Sequence, residues 1–108
     1  MIRAAFYQDS DGHCLGFQTR GHAGYAEAGY DIICAAVSAL VTNTVNSIEL
    51  LTENHLRVKA DEETGHMAVR LTEAATPEAE LLLRSLRCGL EAIETEHREY
   101  IHVVSKEV

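Results

Sequence analysis

The stretch Gly21-His22-Ala23-Gly24-Tyr25-Ala26-Glu27-Ala28-Gly29-Tyr30-Asp31-Ile32-Ile33-Cys34-Ala35-Ala36-Val37-Ser38 begins as a loop and ends inside a helix. Glycines at 21, 24 and 29 admit backbone turns that strain other residues, and their density argues against a regular element. From Ile33 onward apolar groups recur at Ile33, Val37, Leu40, Val41, Thr44 (through its methyl), Ile48 and Leu51. This spacing predicts a helix to about Thr52 that buries one face. Asp31 precedes the stripe and reads as its N-cap, which puts Cys34 in the first turn. There, unpaired N–H groups and the positive end of the helix dipole favour a thiolate over a thiol.

Outward from this stretch the chain falls into simple units. Residues 2–8 read as a strand, Asp9-Ser10-Asp11-Gly12 as a turn, and residues 13–20 as the returning strand. Beyond the helix, Leu56–Ala60 alternates apolar and basic residues, 61–65 is a turn, and Met67–Leu71 pairs back. Thr76-Pro77-Glu78-Ala79-Glu80 starts a second helix, with Thr as cap, Pro at the first position and acids in the first turn. It runs to about His97 with Leu82, Leu83, Leu86, Leu90 and Ile93 near one broad face. Cys88 lies off that centre with Leu81 and Ala92, on a side suited to the other helix or a second subunit. Tyr100–Val104 reads as a final strand. The order ββαββαβ predicts an α+β two-layer sandwich: one mostly antiparallel sheet with both helices on one face, a single domain over residues 1–108.

Composition sets outer bounds. Hydrophobic content of 46% and charged content of 24% are ordinary for a globular protein. Apolar runs are a handful of residues long, and the N-terminus reads as a strand rather than a signal peptide, so the expectation is a cytoplasmic protein without a membrane span. A net charge of −8 argues against nucleic acid as a partner and would attract a basic protein. Three cysteines, Cys14, Cys34 and Cys88, form no even framework and no CxxC pair, which fits reduced thiols in a reducing compartment.

Cys34 and His22 are the residues with chemistry in prospect. A histidine within hydrogen-bond reach can take the proton of a nucleophilic cysteine, and nearby helix N–H groups can hold an oxyanion. Equally, a cysteine is often a small buried hydrophobe and a loop histidine merely polar. Asp31 is either a cap or the orienter of His22. Ser38, one turn past Cys34, either donates to substrate or bonds back to the Cys34 carbonyl. Glu94-x-x-His97 has metal-ligand spacing on a helix but no second such motif, so neither a metal nor a cofactor is expected. His13, His55, His66 and His102 read as surface or edge residues, and Cys14 and Cys88 as structural.

The combination of Gly21-His22-Ala23-Gly24-Tyr25-Ala26 with Asp31-Ile32-Ile33-Cys34-Ala35-Ala36-Val37-Ser38 resembles the signature of the ribosomal-processing cysteine proteases, the Prp family. The likeness extends over the whole chain. It implies a cytoplasmic bacterial endopeptidase, homodimeric, that removes a short N-terminal extension from a large-subunit ribosomal protein, number twenty-seven of that series. Carried over by position, the resemblance makes Cys34 the nucleophile and His22 the general base. Gly21 and Ser38 match active-site positions, and Asp31 matches a family position of less defined role. The family's extension is apolar and aromatic near the cut, which implies a hydrophobic subsite along the first helix and its neighbouring strands. A loop carrying Tyr25, Glu27 and Tyr30 is expected to close over bound peptide. Rival readings are a non-catalytic ribosome-assembly module that binds the same basic precursor, a thiol redox sensor using Cys34 alone, and an RNA-binding protein, which the net charge disfavours.

Overall fold

A computed structural model describes the backbone of residues 1–21, 28–61 and 63–108, and the side chains of these except residues 28–31. In chain order the elements are β1 (Ile2–Gln8), β2 (Cys14–Arg20), α1 (Ala28–Leu51), β3 (Leu56–Asp61), β4 (His66–Leu71), α2 (Pro77–Glu96) and β5 (Ile101–Glu107). The strands form one five-stranded sheet in the order β3-β4-β2-β1-β5. Three of its pairings are antiparallel, and β1 with β5 is parallel, in register from Ile2↔Ile101 to Gln8↔Glu107. The expected mostly antiparallel α+β architecture is the one observed.

Alternation along the strands decides which face of the sheet the helices cover. Ile2, Ala4 and Phe6 of β1, Phe17 of β2, Val69 of β4 and Ile101 of β5 are buried on one face. Against them pack Ile33, Val37, Val41 and Ile48 of α1, with Ala79, Leu83, Leu86 and Leu90 of α2. Full burial of a Leu, Ile or Phe is worth about 1.5–3 kcal/mol, so this one cluster supplies the main driving force for the two-layer arrangement. Phe6 and Phe17 lie opposite each other in the β1–β2 pair with ring centroids 5.9 Å apart. Where the helices meet, Leu40 seats against Gly89, and a methyl at position 89 would come within 3.1 Å of its Cδ1.

Three expectations change. Helix α1 begins at Ala28, so Asp31 lies inside it rather than capping it, and Cys34 falls beyond the first turn. Ala28 is a strong helix former, and the two residues after it, Gly29 and Tyr30, are carried along by the packing of the long apolar stripe that follows. Leu51, placed on the buried stripe by periodicity, is 73% exposed because the helix ends there and the chain turns away to β3. Residues Ile32–Leu51 also average a hydropathy of 1.4, long and apolar enough by length and composition to cross a membrane, although no single run stands out. The stripe from Ile33 to Ile48 instead faces the sheet as a core helix.

The second helix follows its local signals. The Thr76 hydroxyl accepts the Ala79 N–H at 3.2 Å, Pro77 opens the helix, and Glu78 and Glu80 favour the positive end of its dipole. Glu94, one half of the metal-like spacing, accepts the Val103 N–H of β5 at 2.7 Å, while His97 caps the helix and stacks on Tyr100.

The β4–α2 connection carries an acid-sensitive contact. Glu73 accepts from the Thr72 hydroxyl and from the His55 N–H at 2.7 Å. These bonds, the Thr72 hydroxyl first, hold its carboxyl at about 2. Bonding to the ionised form depresses a folded-state pKa, so the stability it gives is present above the ordinary value of 4.5 and is lost as pH falls toward 2. Urea denaturation of wild type and Glu73→Gln is expected to show wild type losing its margin over the variant between those pH values. Parallel curves would count against the contact.

Candidate active site

Of the candidate residues, Gly21 directly follows the end of β2, and Cys34 and Ser38 lie on α1. β2 ends at Arg20 and delivers the chain to Gly21, which has φ +147°. A Cβ at this position would lie 2.8 Å from the Ile2 Cα and 2.9 Å from its Cγ1. Gly21 is therefore required on two counts, backbone conformation and close approach to β1. Gly21→Ala is expected to cost about 1–3 kcal/mol, read as a lower urea midpoint at unchanged slope. An unchanged midpoint would remove this role.

His22 and residues 23–27 lie outside the described residues, as do the side chains of Tyr30 and Asp31. The expected hydrogen bond between His22 and Cys34, the orienting role of Asp31 and the loop over bound peptide all fall there.

Cys34 is half-buried on α1 and packs against the core cluster. Its backbone N–H lies within the helical ladder instead of among the unpaired groups of the first turn, so the dipole contribution to its ionisation is smaller than the sequence reading assigns. Ser38 follows one turn later, four residues on, and is exposed. It lines a cavity of about 210 Å³ between α1 and the β2–β4–β3 side of the sheet. Val37, Val41, Ala60 and Met67 give this cavity an apolar wall, and Ser38, Thr42, Asp61 and His66 supply polar groups at it. It is of a size to take an apolar side chain, with Cys34 a helical turn before Ser38. The sequence reading left His66 as an edge residue; it lines this cavity, and its Nε2 lies 3.3 Å from the Gln18 Oε1. Only the strand pairing reveals that placement.

The other two cysteines have different surroundings. Cys14 is largely desolvated and its Sγ–H donates to the Gly16 carbonyl at 3.5 Å. Burial pushes its thiol pKa up, which keeps it protonated and a poor nucleophile. Cys88 is exposed on α2, far along the helix from any glycine-rich turn. Among the described residues, no cluster of three or more His, Cys, Asp or Glu side chains is arranged to hold a metal ion.

Comparison with known proteins agrees with this geometry. Residues 1–102 match the family model described as cysteine protease Prp. The ribosomal processing cysteine protease Prp of Staphylococcus aureus is 36% identical over 83 residues, covering 77% of this chain and 78% of that protein. The protein of the same name from Bacillus subtilis is 31% identical, with 97% of each chain covered. Among solved structures, an essential ribosomal processing protease Prp from S. aureus, in complex with a covalently linked product peptide, superposes with a TM-score of 0.88 at 32% identity. That superposition covers 98% of this chain and 100% of the other. A match of this extent, in sequence and in fold, places the chain in the Prp family of cysteine proteases.

Proposed function

We propose that this protease removes the N-terminal extension of a large-subunit ribosomal protein, number twenty-seven of that series, with Cys34 as nucleophile and His22 as general base. The observation that carries the reading is the placement of Cys34 one helical turn before Ser38 and its apolar cavity, in a chain of this family. The covalently linked product peptide in the S. aureus relative supports a covalent mechanism.

His22 takes the Cys34 thiol proton as Sγ attacks the scissile carbonyl, giving a tetrahedral intermediate. The intermediate collapses with cleavage of the C–N bond, and His22 delivers the proton to the departing amine. Water, deprotonated by His22, then attacks the thioester carbonyl, releases the extension as a carboxylate and returns the proton to Cys34. Gly21 sets the position of His22, Asp31 supports the loop end of the site, and Ser38 donates to bound peptide. The cavity walled by Val37, Val41 and Met67 receives an apolar residue of the extension.

The same reading includes a single catalytic domain working in the cytoplasm as a homodimer. Ile32 at 67% and Leu50 at 81% exposure on α1, with Leu81 at 64% on α2, offer apolar surface for a second copy. Incubation with the organism's own precursor of the ribosomal protein, read by mass spectrometry, tests the function. A single new N-terminus is expected with wild type and none with Cys34→Ala. Stable capture of intact precursor without cleavage would instead favour the non-catalytic module.

A further inference from the structure

The overall charge of −8 conceals a strong segregation. The sheet face turned away from the helices carries Arg3, Arg20, Arg57, Lys59, Arg70 and Lys106, six of the nine Lys and Arg residues of the chain. All six are exposed. Asp61 is the one carboxylate at an outward strand position among the described residues, so this face holds a formal +5 in an acidic chain. The balancing acids sit elsewhere, five of them (Glu78, Glu80, Glu91, Glu94 and Glu96) on α2.

Two cross-strand pairs set like charges directly opposite each other, Arg3↔Arg20 and Arg57↔Arg70. Such pairs destabilise a sheet. Among the described residues none of the six cations is engaged in an ion pair. Arg70 lies over the Tyr7 ring at 4.9 Å instead. The cations span all five strands, about 19 Å at the usual strand spacing, far beyond the reach of one small anion. Arg3, Arg20 and Lys106 also rim a groove of about 310 Å³ across β2, β1 and β5.

We infer that this open sheet face binds the phosphate backbone of RNA, in a sequence-independent manner. Apolar anchors of the kind a protein partner would desolvate are scarce, since Ala5 and Tyr7 on this face are already buried. Among the described residues no Phe, Tyr or Trp is exposed at the outward strand positions, and His102 on β5 is the one exposed ring there, so contacts fall chiefly on phosphates. Four of the six cations are arginine, whose planar guanidinium matches a phosphate in bidentate fashion. The choice of RNA over another polyanion rests on the proposed ribosomal role. The basic sheet would then hold the protease to ribosomal RNA while the opposite, acidic side receives a basic precursor.

Fluorescence anisotropy with a labelled RNA hairpin of about 20 base pairs tests this. Six phosphate contacts predict an affinity loss of about 10³-fold between roughly 50 and 200 mM salt. The variants R3Q/R20Q/K106Q and R57Q/R70Q are each expected to bind at least about 10-fold more weakly and to flatten the salt slope by about 3 and about 2 respectively. Both should melt no lower than wild type, because like-charge pairs are relieved. The control R84Q/R98Q should bind as wild type does, and polyglutamate should fail to displace the RNA. No binding at about 50 mM salt, or sheet variants that bind like wild type, would overturn the inference. Displacement by polyglutamate would overturn it in favour of an acidic protein. Precursor cleavage is measured alongside: wild-type protein that cleaves but does not bind RNA refutes this inference alone, and RNA binding without cleavage refutes the protease reading alone.

Discussion

Cys34→Ala is expected to abolish precursor cleavage, a loss of about 10⁴–10⁶-fold in kcat, since the proposed mechanism carries the acyl group on the Cys34 sulfur. The fold should survive, because Cys34 is half-buried at the margin of the core and alanine removes one sulfur atom from a well-formed helix. A melting temperature within a few degrees of wild type would confirm that, and precursor affinity should be retained. Cys88→Ser should leave the rate unchanged, given its exposed position on α2. Cys14→Ser should likewise keep activity, since a serine hydroxyl can replace the weak donor to the Gly16 carbonyl. Retained cleavage by Cys34→Ala, measured in single-turnover mass spectrometry, would remove Cys34 from the chemistry altogether.

The second large effect concerns stability. Asn54 is 3% exposed and makes four hydrogen bonds with its side chain. Its Nδ2 donates to the Glu73 Oε1 at 3.2 Å and to the Ala74 carbonyl at 3.0 Å. Its Oδ1 accepts the Thr76 N–H at 2.8 Å and the Thr76 hydroxyl at 2.9 Å. One amide thereby joins the exit of α1 to the loop that starts α2, and it orients the very hydroxyl that caps α2. Asn54→Ala leaves a buried donor and acceptor without partners and loosens the cap, at a cost of about 3 kcal/mol. For a domain of this size that lowers Tm by roughly 12–20 °C. Thermal denaturation followed by circular dichroism reads it directly, and a drop under about 4 °C would mean that water replaces the network.

These two residues mark what sequence reading can and cannot reach. Cys34 announced itself through its neighbours, because a glycine-bearing loop running into an apolar stripe is a local pattern. Thr76-Pro77 was equally plain, since cap, proline and acids act within one turn. Asn54 gave no signal: its partners are 19 to 22 residues away, brought near only when the loop packs. The start of α1 was misplaced for a related reason, as Gly29 favours a loop locally while packing of the downstream stripe extends the helix through it. Strand order escaped as well, because the Tyr100–Val104 segment has the same apolar pattern whether its neighbour runs parallel or antiparallel. The basic sheet face is invisible in a whole-chain sum, and only strand pairing gathers six cations scattered between positions 3 and 106.

The parallel pairing of β1 with β5 bears on how the molecule comes into being on the ribosome. β1 supplies Ile2, Ala4 and Phe6 to the centre of the core, yet one of its two flanks is satisfied only by residues 101–107. The β1–β2 hairpin can zip at once, whereas Ile2 must wait for Ile101. Contacts so remote in sequence are slow to close, and an unpaired edge invites pairing with the wrong chain in the interval. A nascent chain stalled before Ile101 therefore has its central strand open along one side. Such a fragment is a substrate for quality control, and competence arrives late in synthesis, when the final strand docks beside the first.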